Sequence, residues 1–348
     1  MTNLERQASL IDICKFKHGY WWNSKQKFEA LISKHPFLQE ITIQITDRCN
    51  LACPKCNKTS FEDKDMPTLE IIRILSESLK LGLKHVHLTG GEPTLHPYLP
   101  EIIKFCKDNK IRVDMSSNGY FTRDTYKLIA KAGISSINVS WDYIEQPPPC
   151  LDFVFKYKPE VFLNHMVIPD NYQELLDFLK LIKDKYRRVV DIQLMPPRGT
   201  ADKFSKTQIK VFNEIQVAKV CEISKNRFPM VQRKISFLLG ENADKGIYHE
   251  PIFWPCHRAK MELRVGNKGF STCTYLYRDG TYFCKLKTSV KDALEICMKK
   301  CSGKPGKHSC DVSCSPEVAY FNYNVENTIT MKKIMPYMVG ELLQKAYK

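Results

Sequence analysis

The stretch ITIQITDRCNLACPKCN, residues 41–57, sets an alternating β-branched run directly against three cysteines, Cys49, Cys53 and Cys56. Ile and Thr at alternate positions read as a strand. The C-x3-C-x2-C spacing that follows places three thiolates within eight residues. Three thiolates can grip three corners of one iron–sulfur cube and leave the fourth iron open, as catalytic metal sites keep one position free. A zinc knuckle is the competing reading, but structural zinc normally takes four ligands in paired groups, and no fourth is obvious nearby. His85 and His87 alternate on the next β-branched run and are read as unable to face one site together.

Outward from this stretch, short β-branched runs alternate with amphipathic segments, the pattern of repeated βα units and a parallel sheet. Strands are expected at 41–46, 85–89, 111–116, 137–141, 161–167 and 191–195, and helices near 67–81, 98–109, 122–131 and 171–185. Pro147, Pro148 and Pro149 cannot lie inside a helix, so the fourth crossover is expected to be an extended loop. A further helix near 206–225 leads out of this region. The expected organisation is a helical lead-in at 1–40 with the aromatic cluster Tyr20, Trp21 and Trp22, a barrel domain at 41–230, a cysteine-rich unit at 250–324, and a terminal helix at 325–348 interrupted by Pro336.

The 348 residues, 43% hydrophobic, suffice for one large domain and a smaller appendage. No run of eighteen apolar residues occurs, and charges interrupt the first twenty positions, so neither a membrane span nor a signal peptide is expected and the reading is a soluble cytoplasmic protein. In a reducing compartment the fourteen cysteines read as metal thiolates more readily than as disulfides. A net charge of +15 suits an anionic partner or simply a solvated basic surface. Part of that excess, Lys285, Lys287, Lys291, Lys299, Lys300, Lys304 and Lys307, lies among the late cysteines. Nucleic acid is disfavoured because aromatic and basic residues are not interleaved in a stacking pattern.

Three more motifs follow the cysteines in order: TGGEP at 89–93 after the second strand, SSNGY at 116–120 ending the third, and VSWD at 139–142 ending the fourth. Taken singly, the first reads equally as a glycine-rich turn and the second as a turn on Asn118-Gly119. Together with the cysteines, the series resembles the radical S-adenosylmethionine (SAM) superfamily. The resemblance implies an enzyme with an α/β fold, a partial (β/α)6 TIM barrel followed by a small cysteine-rich C-terminal iron–sulfur domain. It implies a 4Fe-4S cluster on Cys49, Cys53 and Cys56, with SAM bound by Gly90, Gly91, Glu92, Pro93, Ser117, Asn118 and Ser140. Two departures stand out: Lys55 replaces the aromatic residue common before the third cysteine, and the proline run replaces an Arg that often partners the SAM carboxylate.

Cys256, Cys273, Cys284, Cys297, Cys301, Cys310 and Cys314 fall within 59 residues. Their order resembles the SPASM and Twitch extensions of radical SAM enzymes, which carry auxiliary 4Fe-4S clusters. The matching parts are Cys256 and Cys273, separated by the hairpin-like MELRVGNKGFST, and the late C-x3-C of Cys310 and Cys314. The match departs in the placing of Gly269, in the C-x3-C of Cys297 and Cys301, and in the lack of a cysteine after Cys314. The resemblance implies one auxiliary cluster on Cys256, Cys273 and Cys314 with Cys284, and a second on Cys297, Cys301 and Cys310. Zinc on Cys297, Cys301, Cys310 and Cys314 is the alternative. Cys14, Cys106, Cys150 and Cys221 read as packed side chains. Among them Cys150, beside the proline loop above the barrel mouth, is also the candidate hydrogen-atom donor to a product radical.

The resemblance implies reductive SAM cleavage to a deoxyadenosyl radical that abstracts a substrate hydrogen, fed by an electron donor such as flavodoxin or ferredoxin. The expected substrate is a ribosomally synthesised precursor peptide, brought by a separate recognition protein since only about forty residues precede the barrel. Oxidation, epimerisation or deoxygenation of an anionic small molecule (a sugar, aminoglycoside or nucleotide) is the alternative, and a non-enzymatic zinc-binding protein is the reading from another class.

Overall fold

The computed structural model describes residues 38–53, 56, 62–166, 171–195, 262–272 and 282–301. Its strands are β1 (Glu40–Thr46), β2 (His85–Gly90), β3 (Arg112–Ser117), β4 (Ser136–Ser140), β5 (Glu160–Met166), β6 (Val189–Met195), β7 (Glu262–Gly266) and β8 (Gly269–Ser271). Its helices are α1 (Thr68–Lys80), α2 (Leu99–Asp108), α3 (Arg123–Ala132), α4 (Leu175–Lys185) and α5 (Val290–Cys301). The sheet runs β6-β5-β4-β3-β2-β1-β7-β8, parallel from β6 through β7 and antiparallel only at the β7-β8 hairpin. The first six strands, in sequential order with α1 to α4 between them, are the partial barrel expected from the sequence.

Strand parity divides the sheet into two chemically different faces. Ile41, Ile43 and Ile45 of β1, Val86 and Leu88 of β2, Val113 and Met115 of β3, and Ile137 and Val139 of β4 are buried in the apolar core. Against them lie Ile71, Ile74 and Leu75 of α1 and Ile102, Ile103 and Cys106 of α2, recurring at three- and four-residue spacing. The opposite parity carries Glu40, Thr42 and Gln44, His85 and His87, Asp114 and Ser116, and Ser136 and Asn138, so the barrel interior is polar.

Local signals fix the crossovers. Thr122 caps α3 by accepting from the Thr125 N–H at 3.1 Å, and Gly133, at φ 106°, ends it in the left-handed conformation that glycine adopts without penalty. The fourth crossover holds two short 3-10 turns, Pro149–Asp152 and Val154–Lys156, where the others carry α-helices. The segment expected to be helical from 171 begins as a 3-10 turn at Tyr172–Glu174 before α4.

Within the hairpin-like stretch, residues 262–271 form a hairpin, and β7 joins the barrel sheet by pairing parallel to β1, Glu40 opposite Glu262 and Ile43 opposite Val265. Helix α5 then packs on α1: Arg73 donates to the Leu286 carbonyl at 2.8 Å, and Glu77 accepts from the Val290 N–H at 2.7 Å. The lead-in at 1–37, the helix near 206–225 and the tail from 325 lie outside the described residues. Among the described residues no helix is long and apolar enough to cross a membrane.

Candidate active site at the barrel mouth

The cysteine loop leaves the C-terminal end of β1 between two clamps. On one side residues 62–66 return along the strand: Asp47 N–H donates to the Lys64 carbonyl at 2.8 Å, and the Thr46 hydroxyl and Arg48 guanidinium both bind Asp65, at 2.6 and 2.7 Å. Burial alone would raise the Asp65 carboxyl, but the Thr46 and Arg48 hydrogen bonds and the Arg48 charge outweigh it and hold it below its usual value. On the other side the β7-β8 turn reaches in, Asn267 Nδ2 donating to Asp47 Oδ2 at 2.8 Å.

Beyond these clamps Cys49 is half-buried, and Cys53 and Cys56 are exposed. Cys56 N–H closes a turn on the Cys53 carbonyl at 3.0 Å. Burial raises the Cys53 thiol first, and the neighbouring Cys56 and Cys49 raise it further, with Asp142 beyond β4 adding to them. Such mutual repulsion among thiolates is what a bound cationic metal centre relieves. Among the described residues no three His, Cys, Asp or Glu groups converge to hold one ion. Ligands of a cube sit on different irons and need not meet at one point, and three thiols on one loop are the donor type such a cube takes. Lys55 lies outside the described residues.

The glycines of TGGEP serve the backbone more than a ligand. A Cβ on Gly91 would stand 2.1 Å from the Arg48 carbonyl oxygen, and one on Gly90 would stand 2.5 Å from that of Thr46. The space is filled by hydrogen bonds, Gly91 N–H to Thr46 O and Glu92 N–H to Arg48 O, both 2.8 Å. Glu92, which the resemblance names among the SAM-binding residues, is fully buried. Its carboxylate accepts from the Ser117 hydroxyl at 2.9 Å, the Asn118 N–H at 2.8 Å and the Thr94 hydroxyl at 2.7 Å. Burial raises its pKa despite these donors. Pro93 is buried and opens the 3-10 turn Pro93–Leu95.

Ser117, donating to Glu92, turns away from the barrel interior, a consequence of strand parity. Asn118 reaches the cysteine loop, its Nδ2 3.8 Å from Cys49 Sγ and 2.8 Å from Asn50 Oδ1. Ser140 is half-buried at the end of β4, in register with Asn164. Cys150 is packed, the first of its two readings, and is not exposed above the mouth as a hydrogen-atom donor would be. It is fully buried in the core under Gly119, whose carbonyl its N–H meets at 3.1 Å, and burial pushes its thiol well up. Cys106 is packed as expected, its thiol pushed up to about 12 by burial.

Cys284 and Cys297, assigned from the sequence to different clusters, are brought together. The contact from Cys297 is the leading influence lowering the Cys284 thiol to about 7, against burial. Cys297 lies on α5 and Cys301 one turn further along it. Cys256, Cys273, Cys310 and Cys314 lie outside the described residues.

The sequence reading missed a network on the barrel floor, and it set His85 and His87 on opposite faces. Residues two apart on a strand share a face, and both rings bind Asp114, His87 Nδ1 at 2.5 Å from Oδ2 and His85 Nε2 at Oδ1. Asn138 Nδ2 adds a bond to Asp114 at 3.0 Å, and Ser116 Oγ lies 3.0 Å from His87 Nε2. Burial alone would lower His85, but Asp114 and Glu40 outweigh it and push it up to about 10. Burial would raise Asp114, yet His87 and His85 hold it well below the carboxylate range. The signal available was parity: Asp114 and Ser116 fall on the same side of β3.

Residues 43–208 match the family model of the Radical SAM superfamily. This chain carries a radical SAM domain and is an enzyme. The chemistry of that superfamily uses a 4Fe-4S cluster and SAM. The chain is 25% identical over 323 residues to a GTP 3',8-cyclase of Clostridium perfringens, covering 82% of this chain and 96% of that protein. A probable GTP 3',8-cyclase of Methanococcus maripaludis is 32% identical over 112 residues, 31% of this chain and 38% of that protein. In fold, the chain is similar to Streptococcus suis SuiB bound to S-adenosylmethionine, with TM-score 0.60 and 14% identity over 83% of this chain and 74% of that one. It is likewise similar to anSMEcpe with bound AdoMet, with TM-score 0.57 and 14% identity over 89% of this chain and 99% of that one.

Proposed function

We propose that Cys49, Cys53 and Cys56 hold the 4Fe-4S cluster of this radical SAM enzyme, and that SAM binds between it, the Gly90–Pro93 turn, Asn118 and Ser140. The observation that carries this is the convergence of three motifs at the ends of β1, β2 and β3: Gly91 and Glu92 bond the root of the cysteine loop, and Asn118 reaches Cys49. Glu92 and Ser117 act by bracing the turn. When bound, the cluster supplies the electron that cleaves SAM to the deoxyadenosyl radical that takes a substrate hydrogen. The protein holds SAM and substrate in line over the polar interior and keeps water away. An external one-electron donor such as flavodoxin or ferredoxin feeds the cluster.

For substrate, we infer a ribosomally made peptide that lays acidic residues across the basic surface and inserts a neutral polar side chain into the barrel, with a separate recognition protein presenting it. Two features support this pairing. The chain carries +15 net charge, yet the described cations of the interior are matched: Arg264 with Glu262 at 2.5 Å, and His85 with Asp114 and Glu40. A triphosphate, bringing about four negative charges, calls for cations not already neutralised. The second reading is a nucleoside triphosphate, favoured by the match along 96% of the Clostridium perfringens GTP 3',8-cyclase. Incubating reduced, reconstituted enzyme with SAM and GTP separates the two. We expect deoxyadenosine release unchanged by GTP, and a strong GTP-dependent rise with a guanosine-derived product would overturn the peptide reading.

We also infer an auxiliary iron–sulfur centre that includes Cys284 and Cys297, with Cys301 one turn along α5 and its other ligands drawn from Cys256, Cys273, Cys310 and Cys314. Anaerobic reconstitution is expected to give about eight or more irons per chain; about four irons with stoichiometric zinc would contradict the auxiliary centre.

A further inference from the structure

We infer that Asp114, His87 and Ser116 form a proton relay on the barrel floor that activates the Ser116 hydroxyl toward the substrate, giving this enzyme an acid–base function beside its radical chemistry. The inference rests on the reading of the polar interior as the substrate chamber.

The geometry is that of an oriented base and a hydroxyl: Asp114 Oδ2 lies 2.5 Å from His87 Nδ1, and His87 Nε2 lies 3.0 Å from Ser116 Oγ. The roles follow from the order of the contacts. A carboxylate can only accept, so the Nδ1–H of His87 donates to Asp114 Oδ2, and in that tautomer Nε2 is left to accept from the Ser116 hydroxyl. His85 and Glu40 form the buried base of the network, while His87 and Ser116 are half-buried. The chain of groups thus runs from a sealed floor toward the mouth.

A second observation points to a ligand. Thr42, in register with His87 on β1 and on the same face, is 4% exposed, and its Oγ1 has no hydrogen-bond partner. A buried hydroxyl left without a partner is costly and is satisfied when a polar ligand arrives. The charged groups facing His87 are His85 on its own strand, Asp114 from β3, Glu40 from β1, and the Arg264–Glu262 pair from β7. The Arg112–Glu160 pair lies at the starts of β3 and β5.

The ligand is a substrate group bearing an O–H or amide N–H at the carbon the radical attacks. Loss of hydrogen from that carbon makes the adjoining proton more acidic. The substrate X–H bond breaks as its proton passes to Ser116 Oγ, and the Ser116 proton passes to His87 Nε2, forming the imidazolium that Asp114 stabilises. Two transfers carry one net proton from the substrate to His87, no electron is exchanged, and the unpaired electron stays on the substrate.

The test uses full-length, cluster-reconstituted enzyme and a small fluorophosphonate, diisopropyl fluorophosphate, which reacts with activated serine hydroxyls. Adducts are mapped by mass spectrometry. We expect a single adduct on Ser116, forming at least about 100-fold more slowly in His87→Gln. Cluster absorbance and thermal unfolding confirm that the variant is folded. No adduct on Ser116, or equal labelling in a folded His87→Gln protein, would each overturn the relay. Deoxyadenosine release by the unaltered enzyme, measured in parallel, tells this failure from a failure of the SAM-cleavage reading.

Discussion

At the scale of single residues, the site depends on close approach and on full use of one buried carboxylate. Gly91 lets the β2 turn lie against Arg48, so Gly91→Ala must move backbone. That overpacking costs about 1–3 kcal/mol, and it acts at the root of the cysteine loop. We expect severalfold less bound iron after anaerobic reconstitution, read by iron assay, with far-ultraviolet circular dichroism of the barrel retained. Glu92→Ala would strand the donors of Ser117, Thr94 and Asn118 in a dry environment. A loss of about 2–4 kcal/mol is expected, read as a lower denaturant midpoint. The motif TGGEP was legible as a turn at the end of the second strand, but its contacts were not: nothing in the letters tells that Glu92 faces Ser117 and not solvent. Parity could have told that Ser116 and Asp114 share the interior face with His87, and that His85 joins them.

At the scale of elements, α5 owes its position to α1. Ser289 caps α5 by accepting from the Asp292 N–H at 3.2 Å, Glu77 adds an acceptor for the Val290 N–H, and Arg73, held by Glu70 and Glu77, binds the Leu286 carbonyl. Glu77→Ala is expected to cost about 1 kcal/mol and to speed amide exchange across 290–301, which hydrogen-exchange mass spectrometry reads directly. The periodicity of each βα unit made six strands and four helices legible within a few residues, because each element is set by its own apolar pattern. The place of β7 was not legible. It pairs with β1, the first strand of the chain, across a sequence separation of more than 200 residues, and that pairing is decided by sheet geometry, not local pattern. The same applies to Cys284 and Cys297, which α5 packing brings together and spacing had separated.

At the scale of the molecule, two buried histidines set opposing pH dependences. Burial, against the pull of the Trp141 carbonyl, lowers His165 to about 4. A depressed histidine favours the fold above the unfolded pKa of 6.5, and that contribution, about 3 kcal/mol, is lost as pH falls from about 6.5 to 4. Asp114, held low by its histidines, adds to the loss once pH falls below the usual carboxylate range. His85, raised to about 10, contributes fully below 6.5 and loses its contribution as pH rises through 10. Thermal unfolding across pH should therefore show a maximum near neutrality with a steep acid flank; a midpoint unchanged between pH 7 and about 4 would contradict it.

The central claim is that Cys49, Cys53 and Cys56 carry the cluster that cleaves SAM. Its most direct test is deoxyadenosine release from SAM by anaerobically reconstituted, dithionite-reduced protein, compared with the Cys49→Ala, Cys53→Ala and Cys56→Ala variants. The account predicts release by the unaltered protein and loss of at least about 100-fold in each variant; no release by the unaltered protein, or undiminished release by any one of the three variants, would contradict it.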